Sequence, residues 1–257
     1  MTIRFEKDAQ VARVTIDRPE AMNAIDSQTR AELRQVYAEI ASDTEIRVAL
    51  LTGAGEKAFC AGADLKKTMP TGDNMACEEF GGRSDHLLAG FPVEKPVVCA
   101  INGYALGGGL ELALMCDIRV ASSTATFGLP EVRRGTIPGS SGTQMLPRIV
   151  GRAHALRLIL TGDRIDAEEA FRIGLVGEVI EPGALQSRAN EIAHRIAHNA
   201  PLAVVAAKKL VMQSLEMPLA SGMALERYAF GLLRDSEDRI EGRTAFAEKR
   251  EPHYQGR

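Results

Sequence analysis

Short, continuously apolar segments recur along the first half of the chain, and they limit the possible folds more than any other feature. RVALLTG at 47–53 and PVVCAING at 96–103 end in glycine, and DIRVAS follows at 117–122. A strand that is apolar on both faces belongs in a sheet that is covered on both sides. Strands alternating with helical patterns at this spacing predict an α/β fold of repeated strand–strand–helix units. The length of 257 residues, 45% of them hydrophobic, fits one large domain or a domain with a smaller appendage.

Hairpin and helix patterns surround these strands. Residues 3–8 and 11–17 alternate apolar and polar side chains around a short polar turn, which predicts a β-hairpin. The segment 26–42 predicts an amphipathic helix that Asp26 or Ser27 can cap. Beyond about residue 183 the strand patterns stop and successive helices are predicted. Their apolar faces must pack against the core or against a neighbouring subunit.

The charge balance and the cysteines exclude several classes of protein. The net charge of −3 gives no basic footprint for nucleic acid or for an acidic membrane. No apolar run approaches the ~18 residues of a membrane span, and the charged N-terminus is unlike a signal peptide. The four cysteines are widely spaced, so we expect reduced thiols in a cytoplasmic protein. His194 and His198 have a spacing that could bind metal, but without a third ligand nearby we expect a solvated helix face and no metal.

A glycine-rich turn is the first candidate for binding chemistry. Gly107, Gly108 and Gly109 follow an apolar strand and open a predicted helix. Because glycine has no Cβ, a ligand can approach this backbone, and N–H groups at a helix start have no intrahelical acceptor. Such a turn can stabilise negative charge. Tight packing of the helix on the strand would need the same glycines, so this alternative stays open.

A second candidate for backbone donors follows the strand at 47–53. Small residues at 61–63 again permit close approach, and a helix could begin at Ala63. Asp64 near that start would complement the helix dipole, and Lys66 adds positive charge. A solvated loop that simply requires small residues is the alternative.

Two glutamates lie near these glycine-rich segments. Glu111 is on the predicted helix with no cation one turn away, so it either favours the helix start or lies in a pocket. Glu131 follows a proline and an apolar segment, and its alternative is an ordinary loop acid paired with Arg133 or Arg134. Two carboxylates beside backbone donors form a constellation suited to acid–base chemistry on a carbonyl compound.

Two other enzyme classes fit the sequence poorly. The turn at 107–109 lacks the GxGxxG pattern of dinucleotide-binding proteins. The acids that could bind a ribose are Asp117, which closes the same helix, and Glu131, which follows a proline. GSSG at 139–142 differs from the GxSxG turn of serine hydrolases. Nicotinamide binding and serine hydrolysis are therefore disfavoured.

Six segments together resemble the enoyl-CoA hydratase/isomerase (crotonase) family. They are DRPEAMNAID, GEKAFCAGADL, INGYALGGGLELALMCDIRVA, FGLPEVRRGTIPG, LTGDRIDAEEAFRIGLVGEVI and EGRTAFAEKR. The spacing is intact from about residue 11 to the C-terminus, so the match is specific in sum. The resemblance implies a crotonase-like spiral of strand–strand–helix units over residues 1–195, which contains the active site. It also implies a helical C-terminal region, 196–257, that mediates trimers, often paired into hexamers.

The resemblance also implies an activity and a set of site residues. The expected activity is that of a hydro-lyase that adds water reversibly to a trans-2-enoyl-CoA. Backbone N–H groups of Ala63 and Gly108 would hold the thioester oxygen. Glu131 would exchange the proton at Cα, and Glu111 would position and activate water. Contacts to CoA are expected at Ala61, Asp64, Leu65 and Lys66, and at Phe246 and Lys249, the last two from the same chain or a neighbouring subunit.

Some features depart from the family pattern or leave alternatives open. Ser140, Ser141 and Met145 stand where many relatives have smaller residues and an arginine, and the segment 68–91 matches a variable region that shapes the acyl pocket. An isomerase or a specialised dehydratase such as one acting on carnitinyl-CoA is the enzymatic alternative, although isomerases commonly use one carboxylate. A non-catalytic acyl-CoA-binding or RNA-binding member is opposed by the negative net charge and the complete acid pair. No metal or redox cofactor is expected, since CoA belongs to the substrate.

Overall fold

Two β-sheets form the centre of the protein. The computed structural model describes residues 1–65, 67, 87, 88, 91 and 94–257. The strands in this part are β1 (Ile3–Asp8), β2 (Val11–Ile16), β3 (Val48–Gly53), β4 (Ala58–Cys60), β5 (Val97–Ile101), β6 (Tyr104–Leu106), β7 (Ile118–Ser122), β8 (Thr126–Gly128), β9 (Arg164–Asp166) and β10 (Glu178–Ile180). The larger sheet has the order β1-β2-β3-β5-β7-β10 and the smaller one β4-β6-β8-β9.

Helices enclose and follow these sheets. They are α1 (Ser27–Ser42), α2 (Gly108–Leu114), α3 (Gly142–Thr161), α4 (Ala167–Arg172), α5 (Leu185–Ala197), α6 (Pro201–Gln213), α7 (Leu219–Leu233) and α8 (Glu237–Glu248). Short 3₁₀ helices cover Pro19–Ala21, Pro130–Arg134 and Pro182–Ala184. Among the described helices, none is long and apolar enough to cross a membrane.

The strand connections produce a repeated unit. β1 and β2 form the predicted antiparallel hairpin, and from β2 to β10 the neighbours in the larger sheet are parallel. In register, Val14 lies opposite Leu51, and Leu51 opposite Cys99. The pairs β3/β4, β5/β6 and β7/β8 each contribute one strand to the larger and one to the smaller sheet. This is the predicted strand–strand pattern, with α2 or α3 following in the second and third units.

The larger sheet is buried on both faces, as the apolar strands predict. All residues of β3 and β5 are buried. Side chains on one face of the sheet pack with Leu33, Tyr37 and Ile40 of α1. Side chains on the other face pack against α5. The Asp26 carboxylate accepts a hydrogen bond from the Thr29 amide (2.9 Å) and caps α1, so Asp26 and not Ser27 is the cap.

The C-terminal helices differ from the rest of the chain. α5 packs on β3, β5 and β7, and it runs through residues 195 and 196, where the sequence places the end of the core. The helices that extend beyond the sheet therefore begin with α6. Neither α6 nor α7 has a buried residue. The assembly role predicted for 196–257 stays a prediction.

The cysteines of the described chain have free thiols. Cys60, Cys99 and Cys116 are buried and unpaired, whereas Cys77 lies outside the described residues. Burial raises the pKa of Cys60 to about 12, although a hydrogen bond from the Gly62 amide opposes the rise. A thiol of this kind is unreactive, because the thiolate is the nucleophile.

Candidate active site

Two loops meet through their glycines at the carboxyl ends of β4 and β6. A Cβ on Gly109 would lie 2.0 Å from the Cys60 carbonyl oxygen. A Cβ on Gly62 would lie 2.8 Å from the Leu106 carbonyl oxygen and 3.1 Å from the Gly108 nitrogen. Gly107 has a φ of 54°, which favours glycine. These glycines therefore serve close packing, and the same packing brings the two backbones together.

The amides of Ala63 and Gly108 are the exposed donors of this junction. Ala63 forms a parallel bridge with Ile25, whose amide donates to Gly62 (2.8 Å) and whose carbonyl accepts from Asp64 (2.9 Å). In such a bridge the N–H of the middle residue points away from the partner segment. Gly108 is the first residue of α2 and has no intrahelical acceptor. Within the described part of the chain neither amide has an acceptor.

The prediction that a helix begins at Ala63 is wrong, because Ala63 is in a β-bridge. The bridge to Ile25 requires extended backbone, and it links segments 38 positions apart that local periodicity does not connect. The Ala63 nitrogen lies 3.9 Å from the position that a Cβ on Gly108 would take. The extended backbone thus places the second amide beside the first.

Glu111 is a buried carboxylate held by the next helix. Its side chain lies on α2 and the residue is 3% exposed. Its Oε1 accepts three backbone hydrogen bonds, from Ser140 (2.7 Å), Ser141 (2.8 Å) and Gly142 (2.8 Å) at the start of α3. Three N–H donors at a helix N-terminus complement a negative charge. The carboxylate is therefore buried and held by amides at the start of α3, and its role in a substrate pocket stays a prediction.

Glu131 lies next to the same glycine turn. It sits on the 3₁₀ helix Pro130–Arg134, and its Oε1 would be 2.9 Å from a Cβ on Gly107. Its Oε2 is buried and has no hydrogen-bond partner in the described chain. Burial raises the pKa of Glu131, and the charge of Glu111 raises it further, against the opposing effects of a backbone hydrogen bond and Arg134. The two carboxylates are therefore close enough to influence each other electrostatically.

The alternative for Glu131, a loop acid paired with Arg133, does not hold. Arg133 pairs with Asp163 and donates to the Thr161 carbonyl oxygen (2.9 Å). Arg134 acts on Glu131 through its charge alone, without an ion-pair contact in the described residues. The junction of the two loops thus has two free amides, with Glu131 beside Gly107 and Glu111 close enough to act on Glu131 through its charge.

The comparison with known proteins identifies the family of the chain. A sequence model of the enoyl-CoA hydratase/isomerase family matches residues 6–257. The chain belongs to this family. It is 46% identical to (E)-benzylidenesuccinyl-CoA hydratase of Thauera aromatica over 256 residues, 100% of both chains. It is also 46% identical to short-chain-enoyl-CoA hydratase of Clostridium acetobutylicum, covering 96% of this chain and 94% of that one.

A solved structure of the enoyl-CoA hydratase/isomerase family confirms the fold. The crystal structure of enoyl-CoA hydratase from Bacillus anthracis has a TM-score of 0.90 at 38% identity and covers 100% of both chains. The crotonase-like spiral that the resemblance implies is thereby confirmed. The identity of the site residues rests on the geometry described above.

The other candidate residues of this family member lie in two places. Ala61, whose amide donates to Met22 (3.1 Å), and Asp64 flank the Ala63 bridge, and Leu65 is 54% exposed beside them. Lys66 lies outside the described residues. Phe246 is 87% exposed on α8 and Lys249 caps that helix with a φ of 56°. Within one chain, the described contacts do not connect these last two residues with the glycine junction.

The two histidines, His194 and His198, contact different groups. His194 Nε2 lies 3.1 Å from Asp8 Oδ2, and His198 Nδ1 lies 2.7 Å from the His194 carbonyl oxygen, so the two rings have separate partners.

Sequence reasoning did not single out Arg18, which is buried behind the Ala63 loop. Arginine is ordinarily exposed, and only the DRPEAMNAID segment quoted for the resemblance drew attention to its neighbourhood.

Proposed function

We propose that this family member is an enoyl-CoA hydratase, which adds water reversibly across the double bond of a trans-2-enoyl-CoA. The observation that carries this proposal is that Glu111 and Glu131 lie beside the junction of the two loops that bear the free amides of Ala63 and Gly108. Two relatives at 46% identity, named as hydratases of benzylidenesuccinyl-CoA and of short-chain enoyl-CoA, support water addition over isomerisation.

The amides of Ala63 and Gly108 would bind the thioester oxygen. Addition of water to the β-carbon leaves negative charge on that oxygen in an enolate. Preorganised N–H donors lower the energy of such a state, and removal of one typically costs about 2.7–4 kcal/mol of transition-state stabilisation. The start of α2 adds a favourable dipole at Gly108.

The two carboxylates would divide the proton transfers. Glu111, with three N–H donors on Oε1, suits the role of base: it orients a water molecule and accepts its proton as the oxygen bonds to the β-carbon. Glu131, whose pKa is raised by burial, suits the role of acid: it gives its proton to Cα of the enolate. Passage of a proton from Glu111 back to Glu131 restores the starting state.

The CoA portion would bind at the mouth of this junction. Ala61 and Leu65 lie on either side of the Ala63 amide in the segment that follows β4, and the Asp64 side chain is directed to Arg18. Lys66, the next residue in the sequence, is assigned to this site from the resemblance alone. We assign Phe246 and Lys249 to the CoA site of a neighbouring copy, because Phe246 is exposed on α8, Lys249 caps that helix, and the described contacts do not connect either residue with this chain's own junction.

The exposed apolar faces of the C-terminal helices support assembly into a homotrimer or a pair of trimers. Large side chains there are mostly accessible, including Leu219 (79%), Tyr228 (74%) and Leu232 (83%). Apolar surface of this kind marks an interface. Sedimentation should give three or six times the 27.7 kDa of one chain, and a monomer at working concentration would contradict the assembly.

The reaction proposed here needs only acids, amides and the substrate's own CoA. The two glutamates transfer the protons and the two amides stabilise the developing charge, so the proposed reaction includes no metal or redox cofactor. With a net charge of −3, we do not expect nucleic acid as a partner. We place the protein in the cytoplasm, where its free thiols would stay reduced. Chelator treatment should leave turnover unchanged.

A panel of enoyl-CoA thioesters tests the activity. We expect loss of the absorbance of the conjugated thioester and a product heavier by one water for crotonyl-CoA or a longer homologue. A product of unchanged mass with a shifted double bond would indicate an isomerase. Binding without any conversion across the panel would indicate a non-catalytic member of the family.

A further inference from the structure

A buried arginine lies directly behind the loop that carries Ala63. Arg18 follows β2, and its side chain is 8% exposed. Its guanidinium donates to the Ala24 carbonyl oxygen and lies 3.2 Å from Asp26 Oδ2 and 3.1 Å from Asp64 Oδ2. One group therefore joins the segment 24–26 to the residue next to Ala63.

The partner of Arg18 on the far side is itself immobilised. Asp26 Oδ1 accepts hydrogen bonds from the amide (2.9 Å) and hydroxyl (2.8 Å) of Thr29, in the first turn of α1, and Lys67 lies 3.0 Å from Oδ2. Burial raises the pKa of Asp26, but these hydrogen bonds and the charge of Arg18 outweigh it, so its pKa lies well below the usual range. Asp26 thus anchors Arg18 to α1.

The segment facing Ala63 also depends on the backbone of Arg18. The Arg18 amide donates to Asn23 Oδ1 (2.9 Å), while Asn23 Nδ2 donates to the Ala58 carbonyl oxygen (2.7 Å) in β4. Met22 and Asn23 have φ values of 55° and 54°, a left-handed conformation that persists in such residues only where the surroundings hold it. Hydrogen bonds from the segment 22–25 then support both sides of Ala63.

We propose that Arg18 is a positioning residue for the Ala63 amide in the oxyanion hole of the hydratase. The inference rests on the proposed function and goes beyond it, because the buried Arg18 would act through the loop that carries Ala63. A donor that stabilises an oxyanion must be placed within a few tenths of an ångström, by groups that are themselves fixed. The planar guanidinium holds three acceptors on two segments at once, whereas a lysine ammonium is a single point charge.

Three variants of the full-length protein test the proposal: Arg18→Lys, Arg18→Gln and Asp64→Asn. Arg4→Gln is the matched control. Arg4, like Arg18, pairs with an aspartate, but its partner is Asp17 and the pair lies at the surface. We measure kcat, KM, thermal stability and the absorbance of a bound aryl-conjugated enoyl-CoA, whose band moves to longer wavelength as its carbonyl is polarised. This spectral shift reports the oxyanion hole and is insensitive to stability alone.

We expect both Arg18 variants to lose about 10- to 100-fold in kcat, the scale of a small misplacement of a reacting group, with a reduced spectral shift. Asp64→Asn should change both in the same direction but less, and Arg4→Gln should match the wild type. If the Arg18 variants do not fold, Asp64→Asn decides through its spectral shift.

Two results would overturn the proposal. One is folded Arg18 variants with wild-type kcat, and the other is a lower kcat with an unchanged spectral shift. The spectral readout also separates this inference from the activity itself. If the wild type shifts the ligand's absorbance but hydrates no substrate, the proposed function fails while the role of Arg18 in carbonyl polarisation is still decided by the variants.

Discussion

The chain up to α5 and the region from α6 to the C-terminus bury their apolar residues in different ways. In the first region β3 and β5 are covered on both faces by helices of the same chain. In the second, no residue of α6 or α7 is buried, and Phe230 and Leu232 are 65% and 83% exposed. A concentration of exposed apolar side chains is typical of an interface. The first region thus covers its apolar strands within one chain, and the second is the region that we propose to be covered by a partner subunit.

This difference separates the chemistry from the assembly. The free amides and both carboxylates lie in the first region, on elements packed by its own core. Phe246 on α8 and Lys249, which caps that helix, lie in the second. Damage to the first region should therefore affect turnover in every chain, whereas damage to the second should affect assembly and CoA binding.

The largest effect is expected for Glu131→Gln in the first region. The amide cannot deliver the proton to Cα, and proton transfer typically contributes ~10²–10⁴-fold, so kcat should fall by that factor while acyl-CoA still binds. Initial rates and calorimetric binding measure the two quantities. Glu168→Gln, at an exposed position of α4, is the control and should be neutral. Full turnover by Glu131→Gln would remove this carboxylate from the mechanism.

A smaller but still large loss is expected for Gly109→Ala. The new Cβ would lie 2.0 Å from the Cys60 carbonyl oxygen, so α2 must move away from β4. A displacement near 1 Å at the amides costs ~10²-fold in kcat, and overpacking costs about 1–3 kcal/mol in the free energy of unfolding. At Gly183 a Cβ would meet nothing within 4 Å, so Gly183→Ala is the matched control. Equal behaviour of both variants would mean that the junction tolerates displacement.

The features of the first region that follow from local pattern were predictable from the sequence. Strands apolar on both faces require a doubly covered sheet, and three successive glycines at a helix start indicate close backbone approach. A cap at Asp26 or Ser27 follows from local side-chain chemistry, and the structure selects Asp26. For the family, the six quoted segments were sufficient, because their spacing is as informative as their residues.

The features that depend on distant partners were not predictable. Glu111 is held by amides 29 to 31 positions along the chain, so its helix alone left two interpretations open. Ala63 is extended because Ile25 lies beside it, and this tertiary pairing overrides the local tendency toward a helix. The burial of Arg18 requires two carboxylates from separate segments. Such contacts become visible only in the folded chain.

In the second region, the double variant Phe230→Asp/Leu232→Asp should separate the subunits. Buried charges at an interface are costly, and aromatic anchors there are typically worth 2 kcal/mol or more. Sedimentation should give the mass of one chain, with KM about tenfold higher, equivalent to ~1.4 kcal/mol of lost binding energy. Gln35→Asp, an exposed position on α1, controls for added charge. An intact oligomer, or a tenfold lower kcat at unchanged KM, would contradict the division between chemistry and assembly.

The smallest expected effect concerns the pH dependence set by Glu131. Burial is the main cause of its raised pKa, and the charge of Arg134 opposes the rise. Because the acid of hydration must be protonated, kcat/KM for hydration should fall as pH rises through this pKa. Arg134→Gln removes the opposing charge, so the pKa should rise further and the falling limb should move to higher pH. The shift should be small and weaker in high salt, since Arg134 is exposed. Arg133→Gln removes a cation that pairs with Asp163 instead, and its profile should match the wild type. Movement of the limb to lower pH in Arg134→Gln would show that a group other than Glu131 delivers the proton.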